Sequence, residues 1–438
     1  MFSVATPRIK TPVSRVGRSR AAGAPNRPIA MRRNGRASAS EGRNNQLQND
    51  PKSFNLVDVL GHSPQEHDNL LKNFANEVKK LSPPSISKED RTQEAVKAII
   101  STLIVAAVGH GAGTQNVVLG GVALGFAEAM AWLKVVHPAA HGAFTEEGAP
   151  GIFSDKEKLL QWVEGALDHW VKAWGKRHPS HHQYTESKND PDRIEPLFEG
   201  IKAAPEALRP FLVLLVGANW IVPYQLMAAS YGHAVAKTQN GHVPPRMMRQ
   251  STGEVLDFIL RTPEGNKVLG EVGFTALRRF LLMPLLAAAA TGTLRRGGFS
   301  NAFTSEVLGY WVSGLLTFYA IATNHCGSNV YEIEGNPATK AEWLAAQALS
   351  SVTFRGGGAL GWLTFDAAMS MANQTVHHLN PRLTPKQQQE YYELYKAKFE
   401  EYGIIFPVNS IWDQIGKMND MLTGKEKQQK IRFDEKRF

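Results

Sequence analysis

Residues 117–141 read VVLGGVALGFAEAMAWLKVVHPAAH. Val117–Val136 is apolar with one acid, Glu128, and is long enough to cross a bilayer as a helix. Thr114–Asn116 precedes it, and before that turn Ala98–Gly113 is again mostly apolar. So short a connection permits only a hairpin of two helices. The pattern returns later. Phe280–Leu294 is apolar and bracketed by Arg278, Arg279, Arg295 and Arg296; Gly297–Ala302 then leads into Phe303–Thr323, with one charge, Glu306, near its start. Ala98–Gly113 and Phe280–Leu294 are short for a span, but their flanking Lys97 and arginine pairs can snorkel. Phe211–Val222, closed by Pro223, is shorter still and reads as interfacial or packed against the bundle. The expected fold is an all-α integral membrane protein of two transmembrane helical hairpins (four spans) with a membrane-surface helical domain. A soluble protein with buried core helices is the alternative; four runs in two close pairs favour insertion. Two hairpins return the chain to its starting side. The segments after Val136, after Thr323 and between the hairpins should therefore share one membrane face.

The formal charge of +9 is misleading as a whole-chain property. The first forty residues hold nine of the 49 basic side chains and no acid, so residues 41–438 carry forty of each sign. A neutral body argues against nucleic acid as a partner. Residues 1–45 are rich in Arg, Ser, Ala, Pro and Gly and lack the apolar core of a secretory signal. They read as a cleaved transit peptide, with a basic arm for anionic surfaces as the rival. The expected address is a chloroplast membrane, with the mitochondrial or endoplasmic reticulum membrane as the alternative. The rest divides into a polar region at 46–94, a membrane domain at 95–405, and a C-terminal segment with a charged tail at 406–438. Cys326 is the single cysteine, which excludes an internal disulfide and a cysteine-based zinc site.

On the expected common face lie three histidine groups: His137-Pro-Ala-Ala-His141, His178-Pro-Ser-His181-His182 and Gln374-Thr-Val-His377-His378. Spacings of three and four put side chains on one face of a helix. Imidazoles gathered there bind iron, zinc, copper or nickel through the neutral nitrogen. At this histidine content, the second pattern arises by chance in about one or two such chains per hundred. Three patterns on one face are far harder to assign to scattered surface or core histidines. Asn324-His325 ends the last run on the same side, and His325 is either a further ligand or an interfacial imidazole. Asp190-Pro-Asp192 follows the second group; either carboxylate accepts a ligand's ring N–H or the motif is a plain turn. The remaining histidines, His110 among them, carry no partner pattern. The helix Thr384–Tyr402 reads as solvated and amphipathic, and the tail from Gly424 as disordered.

These groups resemble the signature of the membrane fatty acid desaturase superfamily, HxxxH, HxxHH and H/QxxHH. The neighbouring residues are similar as well: His181-His-Gln-Tyr-Thr-Glu-Ser-Lys-Asn-Asp-Pro-Asp192, Gln374-Thr-Val-His-His-Leu-Asn-Pro-Arg-Leu383, and the stretch from Asn324 through Gly335, Trp343, Gln347 and Phe354. The likeness covers roughly residues 95–405. The glutamine of the third group looks most like acyl-lipid and front-end enzymes, although Asn380 stands where Phe or Trp is usual. No haem-binding donor domain stands before the first run, which departs from the microsomal front-end type. The resemblance implies a non-haem site of two Fe held by His137, His141, His178, His181, His182, His325, His377 and His378. Gln374, Asp190, Asp192 and Asn324 are candidates for the surrounding layer. It further implies O2 as co-substrate, an acyl-lipid substrate and a separate electron donor such as ferredoxin. A lipid or carotenoid hydroxylase or ketolase shares the same scaffold and is the alternative. A membrane protein without catalysis, such as a metal carrier, is a rival of another class.

Overall fold

The structure is a computed structural model that describes residues 53–55, 64–81, 88–166, 171–221, 224, 252–337, 339–404 and 406–433. The expected transit peptide lies outside the described residues, as do His62, His169, His233 and His242.

The architecture is mostly helical. After β1 (Ser53–Asn55) and α1 (Pro64–Lys80), the first apolar pair forms α2 (Lys88–Gly113) and α3 (Val117–Ala140). Asn116 starts α3 by accepting the Leu119 N–H at 3.0 Å, satisfying a donor that a bare helix end leaves free. The second pair forms α9 (Pro263–Leu277, continuing to Ala290) and α10 (Gly298–His325). Gly297, at φ 79°, makes the left-handed turn between them. Between the pairs lie α4 (Lys156–Ala166), α5 (Val171–Tyr184), α6 (Glu195–Lys202), α7 (Arg209–Ala218) and α8 (Thr252–Arg261).

Among the described residues, three helices are long and apolar enough to cross a membrane: Asp90–Gly113, Val117–Ala140 and Gly265–Ala290. The fourth expected span, within α10, is 28 residues long but does not reach that apolar standard. The reason is on its inner face, where Ser305, Glu306, Ser313 and Thr317 are buried. That face packs along α3 through small residues. A Cβ on Gly125 would lie 2.5 Å from Val312 Cγ1, and one on Gly120 would lie 2.2 Å from the Cα of Gly113 on α2. The glycines of the apolar runs are thus where the backbones meet. α7 leaves Phe211, Leu214 and Leu215 exposed and lays Gly217 and Ala218 against α10.

The charges in the apolar runs meet one another. Arg279 on α9 pairs through two nitrogens with Glu128 on α3 and approaches Glu306 on α10 at 3.5 Å. His110 on α2 stands 3.1 Å from the other oxygen of Glu306. Each helix of the two pairs contributes one partner, so these four side chains meet one another in apolar surroundings. His110 belongs to this cluster and not to the histidine groups.

The C-terminal part carries β2 (Tyr331–Glu334), α11 (Lys340–Leu349), β3 (Thr353–Phe354), α12 (Gln374–Leu379), α13 (Pro385–Glu401), β4 (Val408–Asn409), α14 (Ile411–Leu422) and β5 (Gln429–Arg432). β5 lies between β1 and β2, parallel to both, with Ile431 beside Phe54 and Ile333. The structure corrects the expectation of a disordered tail there, because Ile431 and Phe433 are buried. α13 is amphipathic: Gln387, Gln388, Tyr392, Tyr395 and Phe399 form a buried stripe, and Lys386, Glu390 and Glu393 are exposed.

Candidate metal centre

Four elements deliver eight imidazoles to one place. α3 ends in His137 and His141, after its last turns widen to π-helical geometry over Ala131–Val136. Such wider turns often mark functional sites. α5 supplies His178, His181 and His182, α10 ends at His325, and α12 brings His377 and His378. The rings fall into two groups: His137, His141, His178, His182 and His377, and His181, His325 and His378. Within each group the ligand atoms lie within 4.8 Å of one another. All eight are buried except His141, which is half-buried.

The donors face each other closely. His182 Nε2 is 3.3 Å from His178 Nε2 and 3.2 Å from His377 Nε2. His378 Nε2 is 3.1 Å from His325 Nε2. A metal held at about 2.1 Å by imidazole sets neighbouring nitrogens about 3.0 Å apart at right angles and about 3.4 Å apart at the tetrahedral angle. The spacings fall in that interval.

The far nitrogens point outward to partners. His181 Nδ1 lies 2.9 Å from both oxygens of Asp190, and His178 Nδ1 lies 3.1 Å from Asp192. His325 Nδ1 meets the Ser350 carbonyl at 3.0 Å, and His378 Nδ1 meets Gln347 Oε1 at 3.0 Å. His377 Nδ1 stands 3.3 Å from the Gln388 amide nitrogen, a donor, so this contact orients the ring without holding a proton on Nδ1. An acceptor at Nδ1 fixes the proton there and leaves the Nε2 lone pair free for a cation. Among the described residues, the buried Nε2 atoms of His137 and His141 have no hydrogen-bond partner. Buried polar atoms are otherwise nearly always paired, so these orphans, the nitrogen-only donor set and the spacing together fit two transition-metal ions.

Electrostatics agrees. Burial, reinforced by neighbouring imidazoles, holds His141, His178, His182, His377 and His378 well below the ordinary imidazole range. They are neutral bases at physiological pH, as ligation requires. His181 moves the other way. Burial pushes it down, but the Asp190 carboxylate, helped by Asp192, outweighs that and raises it.

The structure therefore gathers every histidine of the three sequence groups, and His325 with them. Asp190 and Asp192 sit behind His181 and His178, and the turn they form is stabilised by Asp190 accepting from Glu186 N and Asp192 N at 2.8 Å. Gln374 and Asn324 border the adjoining cavity, but their amides bond Met371 Sδ and the Ala320 carbonyl. Gln347 was visible only as part of a resemblance, and Gln388 and the Ser350 carbonyl were not visible at all. Their positions depend on chain segments far from the histidines they meet.

Beside the histidines is a cavity bordered by His137, His178, Trp174, Tyr224 and Leu133. A second, almost wholly apolar cavity shares Leu133, Trp174, Tyr224 and Ile321 with it and runs on to Trp132, Trp220 and Thr317.

Residues 112–408 match the family described as fatty acid desaturase. The chain belongs to the fatty acid desaturase family. The match begins at the end of α2 and closes at β4, so all eight histidines fall inside it. Members of this family are metal-dependent oxidoreductases, and the desaturase match makes lipid the substrate class and the membrane the setting. No curated protein matches the chain.

Proposed function

We propose that this desaturase-family protein inserts a double bond into a membrane-lipid acyl chain, using O2 and two irons held by the eight histidines. The observation that carries the reading is the division of those histidines into two groups with donor spacings suited to two ions. Bound iron would supply the oxidising power that removal of hydrogen from an unactivated methylene demands. The protein's own residues do the rest. Asp190, Asp192, Gln347 and the Ser350 carbonyl orient the rings and keep the Nε2 atoms unprotonated. Trp174 stacks on His178 at 4.4 Å and donates its indole N–H to the Tyr224 hydroxyl, closing one wall of the site. The apolar cavity from Trp220 to Leu133 suits a hydrocarbon chain and excludes water from its length.

The four-span arrangement belongs to this reading, with α10 as the fourth span and the histidines on one membrane face. So do delivery to a plastid membrane and electron supply by ferredoxin.

The test is expression in a lipid-profiled host supplied with ferredoxin. A new acyl species lighter by two hydrogens, absent with His182→Ala, is expected. An unchanged acyl profile with products that gain one oxygen would replace desaturation by hydroxylation, and products that gain one oxygen and lose two hydrogens would replace it by ketolation.

A further inference from the structure

The turn before the third histidine group is built unlike its neighbours. Arg355-Gly-Gly-Gly-Ala-Leu-Gly-Trp-Leu-Thr-Phe365 bends through Gly356, Gly357 and Gly358, all at positive φ (81°, 90° and 70°). Only glycine enters that backbone region in succession without strain. The chain then forms a helical segment, Gly358–Gly361, continued as π-helix over Trp362–Ala368. Thr364 and Phe365 turn inward, where Phe365 joins the buried cluster that includes Leu133 and Ala129 of α3 and meets the Phe354 ring. Leu360, Trp362 and Leu363 turn outward and are 61%, 58% and 55% exposed. Trp412 flanks them, 46% exposed, with its indole N–H donated to the Gly357 carbonyl at 2.8 Å.

A run of large apolar side chains held outward on a well-packed segment marks an interaction surface. Two observations say what covers it. Lys134, near the end of the candidate span Val117–Ala140, donates to the Ala367 carbonyl at 2.9 Å. The turn therefore sits at the depth where that span leaves the bilayer. The patch also pairs two tryptophans with leucines, the composition of membrane–water interfaces. We propose that Leu360, Trp362 and Leu363, with Trp412 beside them, dip into the headgroup–acyl boundary of the membrane. They would anchor the segment that carries Met371, Gln374, His377 and His378 against the lipid surface. The inference rests on the reading of α2 and α3 as spans.

The test places a nitroxide on cysteine variants of the full chain in phosphatidylcholine vesicles and compares accessibility to O2 and to a water-soluble nickel chelate. The sites are Leu360→Cys, Trp362→Cys and Leu363→Cys, with exposed Leu103→Cys on α2 and exposed Glu390→Cys on α13 as references. Cys326 is fully buried, and the unsubstituted protein measures any label it takes. The expected O2-to-nickel ratio at the three sites is several-fold above that at position 390 and comparable with position 103. A ratio equal to position 390 while position 103 reads as lipid would overturn the anchor alone; a patch made for a soluble protein gives that result. If position 103 also reads as aqueous, the span reading fails and the anchor falls with it.

Discussion

The two histidine groups differ in how completely they are supported. In the group of three, every far nitrogen has an oxygen partner: Asp190 for His181, Gln347 for His378, the Ser350 carbonyl for His325. In the group of five, only His178 has a carboxylate, and the far nitrogen of His182, Nδ1, has no hydrogen-bond partner among the described residues. One place has few ligands held firmly, and the other has more ligands with looser support. Redundancy and rigidity are alternative ways of retaining an ion. They predict opposite responses to the loss of one ring.

The largest effect should come from His325→Ala. It removes one of only three donors, so metal content is expected to fall from two ions per chain to one. Activity should fall by more than the about 10–100-fold typical of losing an outer hydrogen-bond partner. His141→Ala, in the group of five, should keep two ions at weaker affinity. Elemental analysis of the purified variants checks this, and equal losses would erase the distinction.

Next in size are the carboxylates. Asp190→Asn should weaken retention of the ion by about 10–100-fold, measured by chelator competition. Asp192→Asn should cost less, because the group of five has ligands to spare. The reverse order would mean that Asp192, paired with buried Arg177, is the stronger support.

Acid should weaken the metal-free fold through the buried histidines whose values are lowered. His141, His178, His182 and His377 have folded values below the ordinary one of about 6.5, so the unfolded chain binds more protons as pH falls below that value. Their stability contribution is complete above about pH 6.5 and is lost as pH drops toward the folded values. His378 behaves likewise, but His181 is raised and keeps its pairing with Asp190 below the ordinary value, so it opposes the trend in the group of three. Unfolding of the metal-free protein followed against pH should therefore show stability falling below about pH 6.5. Stability unchanged or rising on acidification would contradict the burial of these rings as neutral bases.

The smallest effect is expected from Gln388→Leu. It removes one amide at 3.3 Å from His377, a change of about 0.5–1.5 kcal/mol, and should shift affinity only several-fold.

The sequence discloses the site unevenly, and the reason is range. His178, His181 and His182 are visible because helical spacing puts them on one face without any tertiary information. Asp190 and Asp192 are visible as candidates because the turn lies within a few residues of the ligands they support. Gln347, Gln388 and the Ser350 carbonyl reach the site from α11, α13 and the turn after α11, and no local pattern announces them. The fold behaves in the same way. Apolar runs locate α2, α3, α9 and α10, but the meeting of Glu128, Arg279, Glu306 and His110 depends on four helices at once. The tail misleads for the opposite reason: its charges dominate the composition, while the apolar side chains of Ile431 and Phe433 are buried.

The most direct measurement is the metal content of the purified full-length protein and of His178→Ala, His181→Ala and His378→Ala, read together with acyl desaturation. Two irons per chain in the unsubstituted protein are expected, with metal and activity lost in the His181 and His378 variants. In the His178 variant, activity should be lost and iron held more weakly. Retention of two irons and full activity in all three variants would contradict the assignment of these histidines as the metal centre.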